Sequence, residues 1–379
     1  MIQLKEVSNT KELKTFIHVP FVIHKNHKEW LPPLISDEWK VFDKNKNHAF
    51  KHCDTLLLLA IKEQKVVGRI MGIINHTYNK GHNEKNARFC FLECEDDAPV
   101  FDALITAIEK WGFEKGMNQL VGPLGFSDKD PQGFLIEGFK DPMSMMVTNC
   151  SFPYMALHTE RNGFAKKLDL FQYRIQLEDK TPEIYLRIAE RVKSKGFKII
   201  EFTKNKQIRP YVKKVFELIN ETYTEIYGFS PLDNTEAKEF SNRFLPLLNP
   251  NYIKLVKDKN NIVVAFVVAM PNISKGFKKA NGRLLPFGFY HIIRALKTSK
   301  QLDMLLGCVK QNIRNFGLDA LMAVALFDSA RKGNLTVMDS HVTMEKNIQM
   351  RSTYERMNHE IYKKYRIFEK KLKGSPHIN

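Results

Sequence analysis

Cysteine is scarce in this 379-residue chain, with five residues (Cys53, Cys90, Cys94, Cys150, Cys308), an odd number and no CxxC pair among them. That excludes a disulfide scaffold and the usual zinc module, and leaves reduced thiols. Long apolar runs are missing too. The longest, Leu56 to Ile61 and Ile262 to Met270, fall far short of the roughly 20 residues of a membrane-spanning helix. The N-terminal MIQLKEVSNTKELK has no apolar stretch behind its charges, so no secretory signal and no integral membrane association are expected, and the location expected is cytoplasmic. No GxSxG occurs, which excludes a hydrolase nucleophile elbow. His18, His24 and His27 fall in a segment that reads as loop, with no cysteine or carboxylate at ligand spacing, so no metal site is expected.

An acidic excess is also lacking. The chain carries 59 basic and 42 acidic residues, a net +17. The excess is one-sided: from Glu183 onward there are 35 basic and 18 acidic residues, and before that point 24 of each. A positive second half suits an anionic partner, such as a nucleotide-containing cofactor, a nucleic acid or a membrane surface.

A length of 379 residues predicts two domains. The boundary reads at Leu177 to Tyr185, where Thr181 and Pro182 resemble a helix start, giving domains at 1–180 and 181–372 and a disordered polar tail at 373–379. Internal similarity supports two related halves. VVGRIMGIINHTYNKG begins at Val66 and VVAFVVAMPNISKG at Val263, each with an Asn nine residues on and a later Lys-Gly. Glu160-Arg161 with Lys166-Lys167 recurs as Glu355-Arg356 with Lys363-Lys364, so the two matches have offsets of 197 and 195. A tandem duplication is the reading. Each half alternates strands and helices. Strands are predicted at 55–61, 66–75, 87–93, 119–122, 253–256, 262–270, 303–310, 335–344 and 365–370. Helices are predicted at 99–115, 183–195, 317–332 and 347–357, with 282–297 helical in part.

A buried strand, MLLGCVK, leads through QNIRNFG into a strongly apolar helix. A helix N-terminus behind a glycine turn offers free backbone N–H groups and partial positive charge, which a pyrophosphate requires. Lys310 and Arg314 stand at that mouth. Here the chain resembles the GNAT family of acyl-CoA-dependent N-acyltransferases. Their phosphate-loop pattern [RQ]xxGx[GA] falls on Arg314, Asn315, Phe316, Gly317, Leu318 and Asp319, followed by Ala320. Their later pattern NxxAxxxYEKxGF falls on Asn347, Met350, Tyr354, Glu355, Arg356, Asn358 and His359 with every spacing intact. Asn347 and Tyr354 match outright. Asp319 departs from the family's small residue, and a carboxylate beside phosphate is unfavourable unless it points away into the first helical turn.

In the first half the corresponding place holds Cys94, Glu95, Asp96, Asp97, Ala98 and Pro99, and three acids would repel a pyrophosphate. The downstream HTERNGF keeps Gly163 and Phe164, with Thr159 for the tyrosine. The chain as a whole resembles bacterial double-GNAT proteins. The resemblance implies an α/β fold of two tandem lobes, each a mixed, mostly antiparallel sheet flanked by helices. The first would be a degenerate structural or substrate-binding lobe, the second the acyl-CoA lobe.

It also implies acyl transfer from acetyl-CoA or another acyl-CoA to an amine of a small molecule. Leu306, Cys308 and Lys310 would lie on the strand whose backbone binds the thioester carbonyl. Arg314 to Leu318, Ala320 and Asn347 complete the cofactor set, and Tyr354 would protonate the leaving thiolate. On the predicted strand 335–344, Asp339 and His341 share a face and are candidate bases, with Glu345 at its end. The alternatives left open are a tandem-GNAT transferase that uses aminoacyl-tRNA and a silent acyl-CoA-binding protein. Cys90 and Cys94 read as buried thiols on one strand face. RLLPFGFYHIIRALK reads as an amphipathic basic segment that packs in the core, lines an acceptor site or touches lipid. No motif encodes the oligomeric state.

Overall fold

The computed structural model describes residues 1–139, 145 and 147–373; all but the first residue of the tail expected at 373–379 lies outside them. In chain order the first elements are β1 (Ile2–Glu6), α1 (Thr10–Ile23), α2 (Ile35–Phe42), β2 (Cys53–Lys62), β3 (Lys65–Asn75), α3 (His76–His82), β4 (Asn86–Cys94) and α4 (Ala98–Glu114). Then come β5 (Gln119–Gly122), β6 (Phe134–Glu137), α5 (Pro153–Arg161), β7 (Ala165–Gln176), α6 (Glu183–Ser194), β8 (Lys198–Glu201), α7 (Val212–Thr222) and α8 (Asn234–Phe244). The chain continues with β9 (Ile253–Lys257), β10 (Val263–Pro271), α9 (Ser274–Ala280), α10 (Gly288–Thr298), β11 (Gln301–Val309) and α11 (Leu318–Lys332). Last are β12 (Val337–Asp339), β13 (Thr343–Met344), α12 (Ile348–Glu355) and β14 (His359–Lys371).

Two compact units form, but they are not the two sequence halves. The first comprises residues 1–171, 274–294 and 362–379, and the second 172–273 and 295–361. The division at 180 therefore misses two exchanges. Part of the second half, around α9, and most of the final strand belong to the first unit. Hydrogen bonding is the cause. Phe368 to Lys371 pair antiparallel with Gly122 to Gln119, and Lys364 to Arg366 pair with β6.

In the first unit the sheet runs β1-β2-β3-β4-β5-β14, then the N-terminal part of β7. One face packs on α4 and α5 through Phe89, Leu104, Ile108 and Phe134. The other packs on α1 and α2 through Phe16, Ile17, Phe42 and Met71. In the second unit the C-terminal part of β7 is followed by β12-β11-β10-β9-β8. There Phe216, Ile219, Leu255 and Phe266 join α7 and α8 to the sheet.

Local chemistry accounts for the ends of these elements. Asp97 caps α4, its Oδ1 accepting from Val100 N at 3.3 Å, with Pro99 in the first turn. Asp233 and Glu236 form a capping box on α8. The helix predicted at 183 starts there, but its cap is Pro182, not Thr181. Both repeat segments become the third strand of a unit, β3 and β10, each followed by a short helix.

Two local expectations are corrected. His18 lies within α1, and only His24 and His27 follow the helix. Cys90 and Cys94 are both buried but face opposite cores. The reason is a bulge in β4: Arg69 pairs with Glu93 but Met71 with Cys90, and Phe91 has a φ of 48°. One extra residue flips the alternation.

Candidate functional site

In the second unit, β11 and β12 run parallel only at Gln301–Asp303 against Val337–Asp339. Beyond Asp303, β11 keeps its antiparallel partner β10 as far as Val309, while β12 has ended at Asp339. β11 therefore runs on for six residues past the end of its parallel partner. A bulge interrupts β11 there. Val268 pairs with Leu306 but Ala269 with Met304, so Leu305 is the extra residue. Next to it, Gly307 N donates to the Tyr223 hydroxyl at 3.2 Å, and that hydroxyl donates to Gly307 O at 3.1 Å.

Past Val309 the chain turns through Lys310 and a short 3-10 turn, Gln311–Ile313, into α11. Asn315 (φ 72°) and Gly317 (φ 93°) both adopt left-handed backbone. Gly317 has a second reason to be glycine: a Cβ there would sit 2.4 Å from Ile188 Cγ2 of α6. As N-cap it supplies no side-chain acceptor, so the first-turn N–H groups of α11 are available to an anion. Basic groups gather around the turn. Arg191 NH2 lies 4.0 Å from that same Cβ position, and Lys195 Nζ is 5.3 Å from the centre of the Phe316 ring. Arg314 reaches back to Val309 O (3.4 Å) and Thr222 O (3.5 Å), and Lys310 lies 3.7 Å from Glu221. Asp319 is exposed in the first turn and faces Tyr185, whose hydroxyl is pushed up by burial and then by this carboxylate. Arg191 and Lys195 carried no motif, and only the packing of α6 on α11 brings them here.

The other expected cofactor residues are placed as follows. Leu306 lines an apolar cavity of about 90 Å³ beneath α7 and α8, with Phe216, Phe240, Phe244, Phe266 and Val268. Cys308 packs against the same core, and burial pushes its thiol up to about 12. Leu318 and Ala320 are buried in α11. Asn315 Oδ1 accepts from Gln349 Nε2 at 3.1 Å, joining the turn to α12. Asn347 caps α12, accepting from Met350 N at 3.1 Å.

Tyr354 is buried, its ring centre 5.2 Å from that of Tyr173, and burial pushes its hydroxyl well above the usual range. Tyr173 donates to Glu355 at 2.8 Å and accepts from Arg351 Nε at 3.1 Å. The strand predicted at 335–344 is broken, because β12 ends at Asp339 and β13 starts at Thr343. His341 lies in the break, so strand alternation does not align it with Asp339. Asp339 is fully buried and bound by Arg174 at both carboxylate oxygens, 2.9 Å each. Gln301 Nε2 donates to Asp339 and to Asp303 at 2.8 Å, and Asn272 Nδ2 donates to Asp303 at 2.7 Å. Burial, and then the neighbouring Asp339, push the Asp303 carboxyl up to about 8. Glu345 contributes its carbonyl, which accepts from Arg351 at 2.9 Å.

The first unit repeats the arrangement: β4 pairs with β5 only at Asn86–Arg88 and is bulged beyond that point. Of the three acids expected in place of a phosphate loop, two have side-chain partners. Asp97 caps α4 and meets Lys62 at 2.5 Å, and Asp96 meets His158 at 2.7 Å. The sequence reading missed a chain of titratable groups in this unit. Glu93, turned toward α1 by the bulge, meets His24 Nε2 at 2.5 Å, and His24 Nδ1 lies 3.0 Å from His27 Nδ1. With Nε2–H of His24 donating to Glu93 and Nδ1–H of His27 donating to His24, Nε2 of His27 keeps its lone pair. Burial, then the adjacent His24, lower the His27 pKa, so that ring is neutral near pH 7 and able to accept a proton. Phe152 packs 4.1 Å and Trp30 5.4 Å from the rings of His27 and His24 respectively. In the sequence these histidines read only as possible metal ligands; 69 residues separate His24 from Glu93, so nothing local joins them.

No family model matches the chain. The fold is that of tandem GNAT proteins: a tandem GNAT protein from the clavulanic acid biosynthesis pathway superposes with a TM-score of 0.56 at 10% identity, covering 99% of this chain and 100% of that one. In sequence, the chain is 26% identical over 371 residues to protein YghO of Escherichia coli K12, covering 96% of this chain and 94% of that protein. It is also 26% identical over 373 residues to the bacterial ceramide synthase of Caulobacter vibrioides, covering 97% and 96%.

Proposed function

We propose that the chain is an acyl-CoA-dependent N-acyltransferase with its thioester site in the second unit. The carrying observation is the bulged β11 running past its parallel partner into the Gly317 turn, where α11 starts with no side-chain cap and Arg314, Arg191 and Lys195 lie on or beside the turn. The chemistry is transfer of an acyl group from sulfur to an amine nitrogen, with the thiolate taking up a proton. Arg314 and the first turn of α11 would hold the pyrophosphate. Tyr354 would give the proton, since its burial keeps the phenol protonated. The apolar cavity behind Leu306 supports an acyl chain longer than acetyl. The likeness to a ceramide synthase supports as acceptor a lipid-like amino alcohol, because a ceramide is an amide of such an amine.

The test is calorimetric titration with acetyl-CoA and a fatty acyl-CoA, followed by turnover with long-chain amino alcohols. One CoA per chain should bind, Arg314→Ala should weaken it about tenfold or more, and Tyr354→Phe should keep affinity while turnover falls on the order of a hundredfold. Gly317 is unsuited to this test, because a side chain there collides with Ile188. The Glu93–His24–His27 chain favours a second reading, with chemistry in the first unit. If binding survives Arg314→Ala and is lost in Glu93→Gln, the thioester belongs to the first unit.

A further inference from the structure

Between Asp258 and Asp303 the chain has no acidic residue and eight basic ones, about half of the net charge of +17. Within that stretch, residues 274–294 belong to the first unit and fold as a knob. Its base is fixed. Phe277, Ala280 and Ile292 are buried, Gly282 O accepts from Ile35 N at 2.9 Å, and a Cβ on Gly282 would lie 2.6 Å from the Phe21 ring. Its tip is closed on itself: Phe289 N donates to Leu284 O at 2.8 Å, and Gly288 lies so close to Arg283 O that no side chain fits.

What this rigid tip presents is apolar. Leu285 is 80% exposed, Phe287 70%, Tyr290 59% and Phe289 56%. Lys275, Lys278, Lys279 and Arg283 of the same segment are exposed too. The core packing considered for this segment holds for Ile292 but not for residues 283–287, 289 and 290.

We propose that this knob docks the protein on the surface of an anionic phospholipid membrane, its leucine and aromatic side chains entering the headgroup boundary and its lysines facing lipid phosphates. Two physical requirements are met at once. Exposed large apolar side chains gain most where they leave water, and aromatic rings favour the membrane–water boundary. The segment's own basic residues, with no carboxylate among residues 259–302, gain from the negative potential of anionic lipids. A nucleic-acid duplex would use the charge but leave Leu285 and Phe287 in water, a single strand would stack on the rings but give Leu285 no apolar partner, and a self-association face would have to bury like charges against each other. The proposal stands independently of the acyl-transfer reading. No helix among the described residues is long and apolar enough to cross a membrane, and surface docking needs none.

The experiment is flotation of the full chain with vesicles of phosphatidylcholine alone and of phosphatidylcholine with phosphatidylglycerol, at low and high salt. The parent should float with the anionic vesicles, and partition should fall about tenfold in high salt and in Lys278→Glu with Lys279→Glu. Phe287→Glu should lower it comparably at either salt. Thermal melts of these variants should match the parent, since the side chains are exposed. Equal partition of Phe287→Glu and parent, or equal binding to both vesicle types, overturns the proposal. So does a concentration-dependent dimer that Phe287→Glu abolishes in sedimentation velocity, or binding of the basic surface to tRNA without any to vesicles.

Discussion

Asp303 shows how a residue's meaning changes with its neighbours. In sequence it is one aspartate at a strand start; in the fold it faces Asp339 across a parallel pair and is buried. Its folded pKa, near 8, lies above the ordinary value of 3.8, so the native state holds a proton that the unfolded chain releases. Stability linked to this group is therefore full below about pH 4 and lost as pH rises to about 8. Asp303→Asn, whatever its absolute stability, should flatten the slope of melting temperature against pH between those limits. An unchanged slope would place the protonation elsewhere. The same lesson applies to Tyr354 and Asn347. Their spacing is legible in the sequence, but only the structure shows that Tyr354, on α12, is buried beside Tyr173 and that Asn347 caps the helix from outside it.

At the scale of elements, the strand–turn–helix from β11 to α11 was legible because its signals are local. An apolar run, a glycine and another apolar run dictate strand, turn and helix with little help. Gly317 also answers to a distant partner, Ile188 of α6. Gly317→Ala should cost about 1–3 kcal/mol from its positive φ, with the clash against Ile188 in addition. Adding Ile188→Ala should recover the clash and leave the backbone cost, a non-additive pair in denaturant melts. Equal losses with and without Ile188 would remove packing from the explanation. The strand predicted at 335–344 failed for a related reason. Alternation in VMDSHVTM suits an extended chain, yet Ser340 N bonds to Tyr173 O and the ladder breaks around His341. The N-terminal helix α1 was missed because its proline and histidines read as loop; Asn9 caps it, and Pro20 sits in its last turn.

For the whole molecule, the assignment of β14 to the first unit carries the largest consequence. Tyr365, Ile367 and Phe368 are fully buried, and β5 and β6 both pair with this strand. A chain ending at residue 180, the domain the sequence suggested, should therefore fail to fold cooperatively. Addition of a peptide spanning β14 should restore a cooperative melt and protection from protease. A truncated chain that melts like the parent would show the exchange to be dispensable. About half of the +17 lies between residues 259 and 300 rather than next to Arg314 in sequence.

The sequence by itself determined what depends on near neighbours: most strand and helix positions, the two-fold repetition, the glycine turn behind Arg314 and the GNAT-like spacing of Asn347 and Tyr354. The tertiary structure decided what depends on partners far apart in the chain. The Gln119–Glu369 bond of the exchanged β14, the Arg174 clamp on Asp339 and the Glu93–His24 bond join residues 250, 165 and 69 positions apart. Periodicity and capping act over a few residues, whereas strand pairing, burial and ion pairing act wherever the folded chain brings groups together.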